Sequence, residues 1–197
     1  MTVRLAHRLA LAGVAMLASA CTTTASARFY TLDSTAAGDG AAPLRRAVVV
    51  GPVTVPPAVD RPQIVVQVAP NRVEFDEYNR WAAPLSDSVA IADAGDLAVL
   101  LGTPEVAVAP LANFNPAYRV TIAVQRFESI LGQAVLLDAI WVVRSVADDK
   151  TQAGHSIVRE NAPDLSFDAR AAAHSRALAT MSAEIAAAIR ARAERAP

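Results

Sequence analysis

The segment QAVLLDAIWVVRSV, residues 133–146, is apolar at odd and even positions alike. A strand written this way has no face to give to water, so it calls for a central place in a sheet covered on both sides. Its neighbours in the chain fit that demand. YRVTIAVQRFE (118–128) alternates, with Tyr118, Val120, Ile122 and Val124 on one face and Arg119, Thr121 and Gln125 on the other. RAVVVGPVTV (46–55) is a strand stopped by Pro56-Pro57. QIVVQV (63–68) and RVEFDEY (72–78) flank the turn pair Pro70-Asn71 and predict a hairpin, with Ile64, Val66 and Val68 sharing one face. RFYTLDS (28–34), EVAVAP (105–110) and GHSIVREN (154–161) supply shorter strands.

Two segments change to helical spacing. In 84–102, Leu85, Val89, Ala92, Leu97 and Leu100 or Leu101 recur on one side, with Pro84 at the first turn and Gly102 as the stop. Gly95 costs that helix about 1 kcal/mol relative to alanine and marks a weak point where it would divide. In 167–194, Leu178, Met181, Ile185 and Ile189 form a stripe, with Asp168 as the expected N-cap. The alanine-rich face of that second helix suits either ordinary packing or assembly. Strands, helix, strands, helix predict a single α+β domain over 28–197. Its sheet is expected to be mixed or mostly antiparallel, with two main helices packed on it.

The first residues carry a different signal. Arg4, His7 and Arg8 precede an uncharged apolar run from Leu9 to Ala18, and Cys21, the only cysteine, follows it. About twenty apolar residues are needed to span a bilayer, so this shorter run reads as a cleaved signal over 1–20. LASAC resembles a lipobox, with cleavage between Ala20 and Cys21, although Ala18 stands where leucine is usual. The Cys21 thiolate would take a diacylglyceryl group, and the amine freed by cleavage a further acyl chain, which together anchor stably. Residues 21–27 then form the lipidated cysteine and a short tether of about 20 Å. With Cys21 acylated no disulfide is available, and the 176 residues from 22 to 197 must rest on their core.

Removing Arg4 and Arg8 changes the formal charge from −1 to −3. There is no basic excess to attract nucleic acid. HExxH, GxSxG, CxxC and phosphate-binding glycine loops are all missing from the sequence, so no catalytic residue, metal ligand or cofactor is assigned and no enzyme activity is expected. Glu74, Asp76 and Glu77 read as a solvated edge. Asp138 shares a face with Leu136, Ile140 and Val142, which calls for a partner at the sheet–helix seam or in a protein interface. Tyr78, Arg80 and Trp81 are candidate partner-binding residues, being types that carry interface energy. Trp81 would serve equally as core beneath the first helix.

In order along the chain, FYTL, VVVGPVTVPPAVDRPQIVVQ (48–67), NRVEFDEYNRWAAPLSDSV (71–89) and HSRALATMSAEIAAAI follow the lipobox cysteine. Together they resemble the PqiC-like (YmbA-like) ABC-transport auxiliary lipoproteins. The most specific parts are Asp60-Arg61-Pro62-Gln63-Ile64-Val65 and Asn79-Arg80-Trp81-Ala82-Ala83-Pro84-Leu85. The resemblance implies a non-catalytic docking or assembly subunit of an MCE/ABC-type intermembrane lipid transport system. Its expected partner is an MCE-domain protein and, through it, an inner-membrane ABC transporter. It implies a lipid anchor in the outer membrane with the domain facing the periplasm, and Thr22 in place of a retention-signalling aspartate agrees. Members also self-assemble into rings, so the resemblance allows a homo-oligomer. A stand-alone lipid-binding carrier lipoprotein of the periplasm is the alternative reading.

Overall fold

The computed structural model describes residues 26–195. The signal segment, Ala20, Cys21 and most of the tether lie outside the described residues. The elements are β1 (Arg28–Tyr30), β2 (Val48–Thr54), β3 (Gln63–Ala69), β4 (Arg72–Trp81) and α1 (Leu85–Leu101). They are followed by β5 (Val106–Val108), β6 (Tyr118–Ile130), β7 (Ala134–Ser145), β8 (Thr151–Asn161) and α2 (Phe167–Glu194). This is the expected α+β arrangement, and its sheet is mixed.

The longest strand, β6, is the spine. One edge pairs antiparallel with β7, which pairs antiparallel with the edge strand β8. The other edge is shared. The first half of β6 pairs in parallel with β2, from Val48 opposite Tyr118 to Thr54 opposite Ala123. Its last residues pair in parallel with β3, at Val66 opposite Ser129. The β3–β4 hairpin is antiparallel, and Asn71 occupies the left-handed conformation of its turn. β1 closes one side in parallel with β4, and β5 lies beside β2. A bulge between Val124 and Arg126 moves the inward phase of β6 to Phe127 and Ser129.

Both helices lie on one face of this sheet, with α1 over β2, α2 over β7 and β8, and the two in contact. Val48, Val50, Ile64, Leu97, Val120, Leu137, Leu178, Met181, Ile185 and Ile189 fill the layer between. Most of the predicted inward stripe is there, including Leu85, Val89, Ala92, Leu97 and Leu101 of α1. Burial of side chains of this size contributes about 1.5–3 kcal/mol each.

Four expectations are corrected. β7 is covered on both sides only near its start, because Ile140 is 44% exposed on the face without helices. Asp138 points to that same outer face rather than to the seam, opposite Arg126 and Ile157. Gly95 does not divide α1. A Cβ there would stand 2.8 Å from the Ser34 Cβ, so the glycine admits the chain segment that crosses the helix. The N-cap of α2 is Ser166, whose Oγ accepts from the Ala169 N–H at 3.2 Å, and Asp168 sits in the first turn.

Candidate partner-binding site

The two most specific sequence segments meet at one place. Pro56 O accepts from the N–H groups of Val59 and Asp60, turning the chain toward Pro62. Pro62 O accepts from Trp81 N–H at 2.7 Å, and Gln63 pairs with Arg80. Tyr30 O takes the Ala82 N–H at 2.8 Å, so β1 is tied into the same junction. The result is a surface notch of about 410 Å3, bounded by Asp60-Arg61-Pro62 on one side and Trp81 to Leu85 on the other.

Of the three candidate residues only Trp81 lines the notch, and Tyr78 and Arg80 precede it on β4. Tyr78 is 49% exposed. Arg80 is held by Glu77: its Nε donates to the Glu77 carbonyl at 2.8 Å and its Nη2 to Glu77 Oε2 at 3.3 Å. Asp76 shapes the local excursion of β4 by accepting from the N–H groups of Tyr78 and Asn79, each at 2.9 Å. Burial alone would raise the Asp76 pKa, but bonds from the Asn79 side chain and these N–H groups outweigh it and lower it. Glu74, Asp76 and Glu77 therefore do not converge.

Trp81 is 6% exposed and belongs to the core. Its ring stands edge-on to Phe127 and to His174, with centroids 6.1 Å away in both cases. His174 stacks on Phe127 at 3.9 Å, and its Nε2 lies 3.0 Å from Ser129 Oγ. Burial pushes the His174 pKa down to about 3, so the ring is neutral and acts as an aromatic core member. Trp81 is thus the floor of the notch, while Tyr78 and Arg80 lie outside its lining, on the stretch of β4 that leads to it.

Elsewhere, His155 Nε2 lies 2.7 Å from Asp138 Oδ1 on the exposed outer face, and Arg126 forms a bidentate pair with Glu128 nearby. Among the described residues no group of three or more His, Cys, Asp or Glu side chains could hold a metal ion. Sequence reasoning passed over Asp93 and Asp96, which are both fully buried. Their signal was present, since both fall on the inward stripe of α1 between Val89 and Leu97. Asp96 Oδ1 accepts from Ser34 Oγ and from the N–H groups of Thr35 and Ala36, each at 2.8 Å, fastening the N-terminal segment across α1.

Among the described residues no helix is long and apolar enough to cross a membrane. A search of curated proteins finds no match. The fold is shared with the crystal structure of an uncharacterized protein at TM-score 0.67 and 20% identity, covering 84% of this chain and 99% of that one. Protein XCC0632 from Xanthomonas campestris is similar at TM-score 0.68 and 21% identity, covering 81% of this chain and 93% of its own. The model of the ABC-type transport auxiliary lipoprotein component family matches residues 30–186. That span holds the β3–β4 notch, the β6 spine and most of α2, and the chain belongs to this family.

Proposed function

We propose that the chain is a non-catalytic outer-membrane lipoprotein subunit of an MCE/ABC-type intermembrane lipid transport system. In this reading Cys21 carries the lipid anchor and the domain faces the periplasm as a docking or assembly subunit. The observation that carries it is the notch. Two sequence segments separated by a hairpin are brought together on one surface, with the Arg61 guanidinium and the Trp81 ring in its lining. Arginine and tryptophan are residue types that anchor protein interfaces, and the candidate residues Tyr78 and Arg80 precede Trp81 on the same strand. The expected partner is an MCE-domain protein linked to an inner-membrane ABC transporter.

The test is capture of the MCE-domain protein by the full lipidated chain. Tyr78→Ala and Arg80→Ala should each weaken capture by about tenfold, an ordinary loss for an interface anchor, with the melting temperature unchanged. Unaltered capture by the double variant overturns the end of β4 beside the notch as the docking surface. Cys21→Ala should abolish acyl labelling and release the protein from the outer-membrane fraction, and retention of both overturns the anchor.

A further inference from the structure

A second surface feature shares no residue with the notch. The C-terminal end of α2, the starts of β6 and β8, and Arg46 ahead of β2 enclose a cleft of about 670 Å3. Four cations line it: Arg46, Lys150, Arg192 and Arg195. Among the described residues Asp148 is the single carboxylate lining it. Hydrogen bonds from Ser145 and Lys150 hold the Asp148 pKa down to about 2, so it remains an anion at any working pH. Three positive charges are left uncompensated. Within a concave site such charges reinforce one another's field and attract counter-ions.

Arg192 is the centre of this arrangement. Its side chain is only 14% exposed, and its nearest carboxylate oxygen, on Asp148, is 3.6 Å from Nη2. Its Nε is buried with no hydrogen-bond partner. A buried polar group left unsatisfied is costly, and a guanidinium offers a rigid fork of donors suited to oxyanions. Complementing the carbonyl end of α2 accounts for cations in the last turn of that helix. Arg190 is accounted for separately, since it donates to the carbonyls of Ala42 and of Leu100 at the end of α1. Complementing the helix end does not account for Arg46 and Lys150, which come from other elements, or for the orphaned Nε.

We infer that this cleft is a binding site for a phosphate ester, with Arg192 as the forked donor and Arg46, Lys150 and Arg195 completing the charge. A phosphoryl group fits better than a carboxylate. It carries up to two negative charges and presents several acceptor oxygens to donors arriving from three directions. Tyr118, Ser145 and Thr151 add hydroxyl groups to the lining. The same chemistry is available in a soluble phosphate ester and in the headgroup of an anionic phospholipid.

The experiment uses the full chain carrying Cys21→Ala, titrated at constant ionic strength with inorganic phosphate and glycerol 3-phosphate and followed by calorimetry. A second arm measures co-sedimentation with vesicles of phosphatidylcholine alone or mixed with phosphatidylglycerol. Arg192→Gln and Lys150→Gln should each lower affinity by about tenfold, as loss of one charge-assisted contact requires. Arg119→Gln, an exposed cation outside the cleft, should leave it unchanged. Lys150 is largely solvent-exposed, so its variant tests the site even where Arg192→Gln fails to fold. Binding of soluble esters identifies a free phosphate ester, and binding confined to phosphatidylglycerol vesicles identifies a headgroup. Absence of binding in both arms overturns the proposal, as does equal loss in the Arg119 variant.

Discussion

Asp93→Asn should make the domain more stable at alkaline pH and remove most of its pH dependence. Asp93 is fully buried on α1, its Oδ1 2.6 Å from Ser182 Oγ of α2, and its Oδ2 has no partner. Burial raises its pKa from 3.8 to about 7, and the neighbouring Asp96 adds to the rise against the opposing bond from Ser182. The native protein therefore keeps a proton on Asp93 where the unfolded chain has lost it. The contribution of this proton to stability is fully present below about pH 4, falls as pH increases, and is lost by about pH 7. A rise of about three pH units, at about 1.4 kcal/mol each, amounts to roughly 4 kcal/mol. Asparagine is nearly isosteric with the protonated acid and never ionises. Near pH 4 the variant and the parent should be about equally stable. At pH 8 the variant should be more stable by up to ~4 kcal/mol. Urea unfolding followed by tryptophan fluorescence measures this, since Trp81 and Trp141 are both in the core. Parallel pH profiles for the two proteins would refute the reasoning.

Gly154→Ala should destabilise by about 1–3 kcal/mol, because its Cβ would collide with the Trp141 ring that lies across β8. Thermal unfolding reads it, and a neutral effect would show that Trp141 has room to move. Gly95→Ala should lower the melting temperature despite alanine's helix propensity of about 1 kcal/mol, since Ser34 must give way. A gain in stability would mean that the crossing segment is not packed there. Trp81→Ala should cost about 3–5 kcal/mol in urea unfolding while sparing partner capture below the unfolding transition. Loss of capture in a variant that is still folded would move Trp81 from floor to contact.

Alternation made β3, β4 and β6 legible, and the three- and four-residue spacing did the same for both helices. Branching of the sheet was not legible. Nothing in the apolar face of β2 or β3 says that both will use the same edge of β6, because edge choice depends on strand length and the β6 bulge. Gly95 was misread for a related reason: helix propensity describes a helix alone, and Ser34 reaches it from 61 residues earlier. Of the candidate residues, Arg80, Tyr78 and Trp81 were singled out from residue type, whereas the depth of Trp81 and the lining by Arg61 required packing. The basic cleft left no mark, since Arg46, Lys150, Arg192 and Arg195 each read as ordinary surface cations until three elements bring them together. Cys21 was the clearest signal in the chain and lies outside the described residues.

The shared edge of β6 also sets the order in which the domain can be completed as it leaves a ribosome or a membrane channel. Val48 must wait for Tyr118, and Val66 for Ser129. Everything from β1 to α1 emerges before the strand that joins its two halves exists. The β3–β4 hairpin can close on its own, but β2 has only the three residues of β5 to pair with until residue 118 or later has appeared. Pairing at such long sequence separation is slow, so β2 and the β3–β4 hairpin are joined into one sheet only once β6 is available to both.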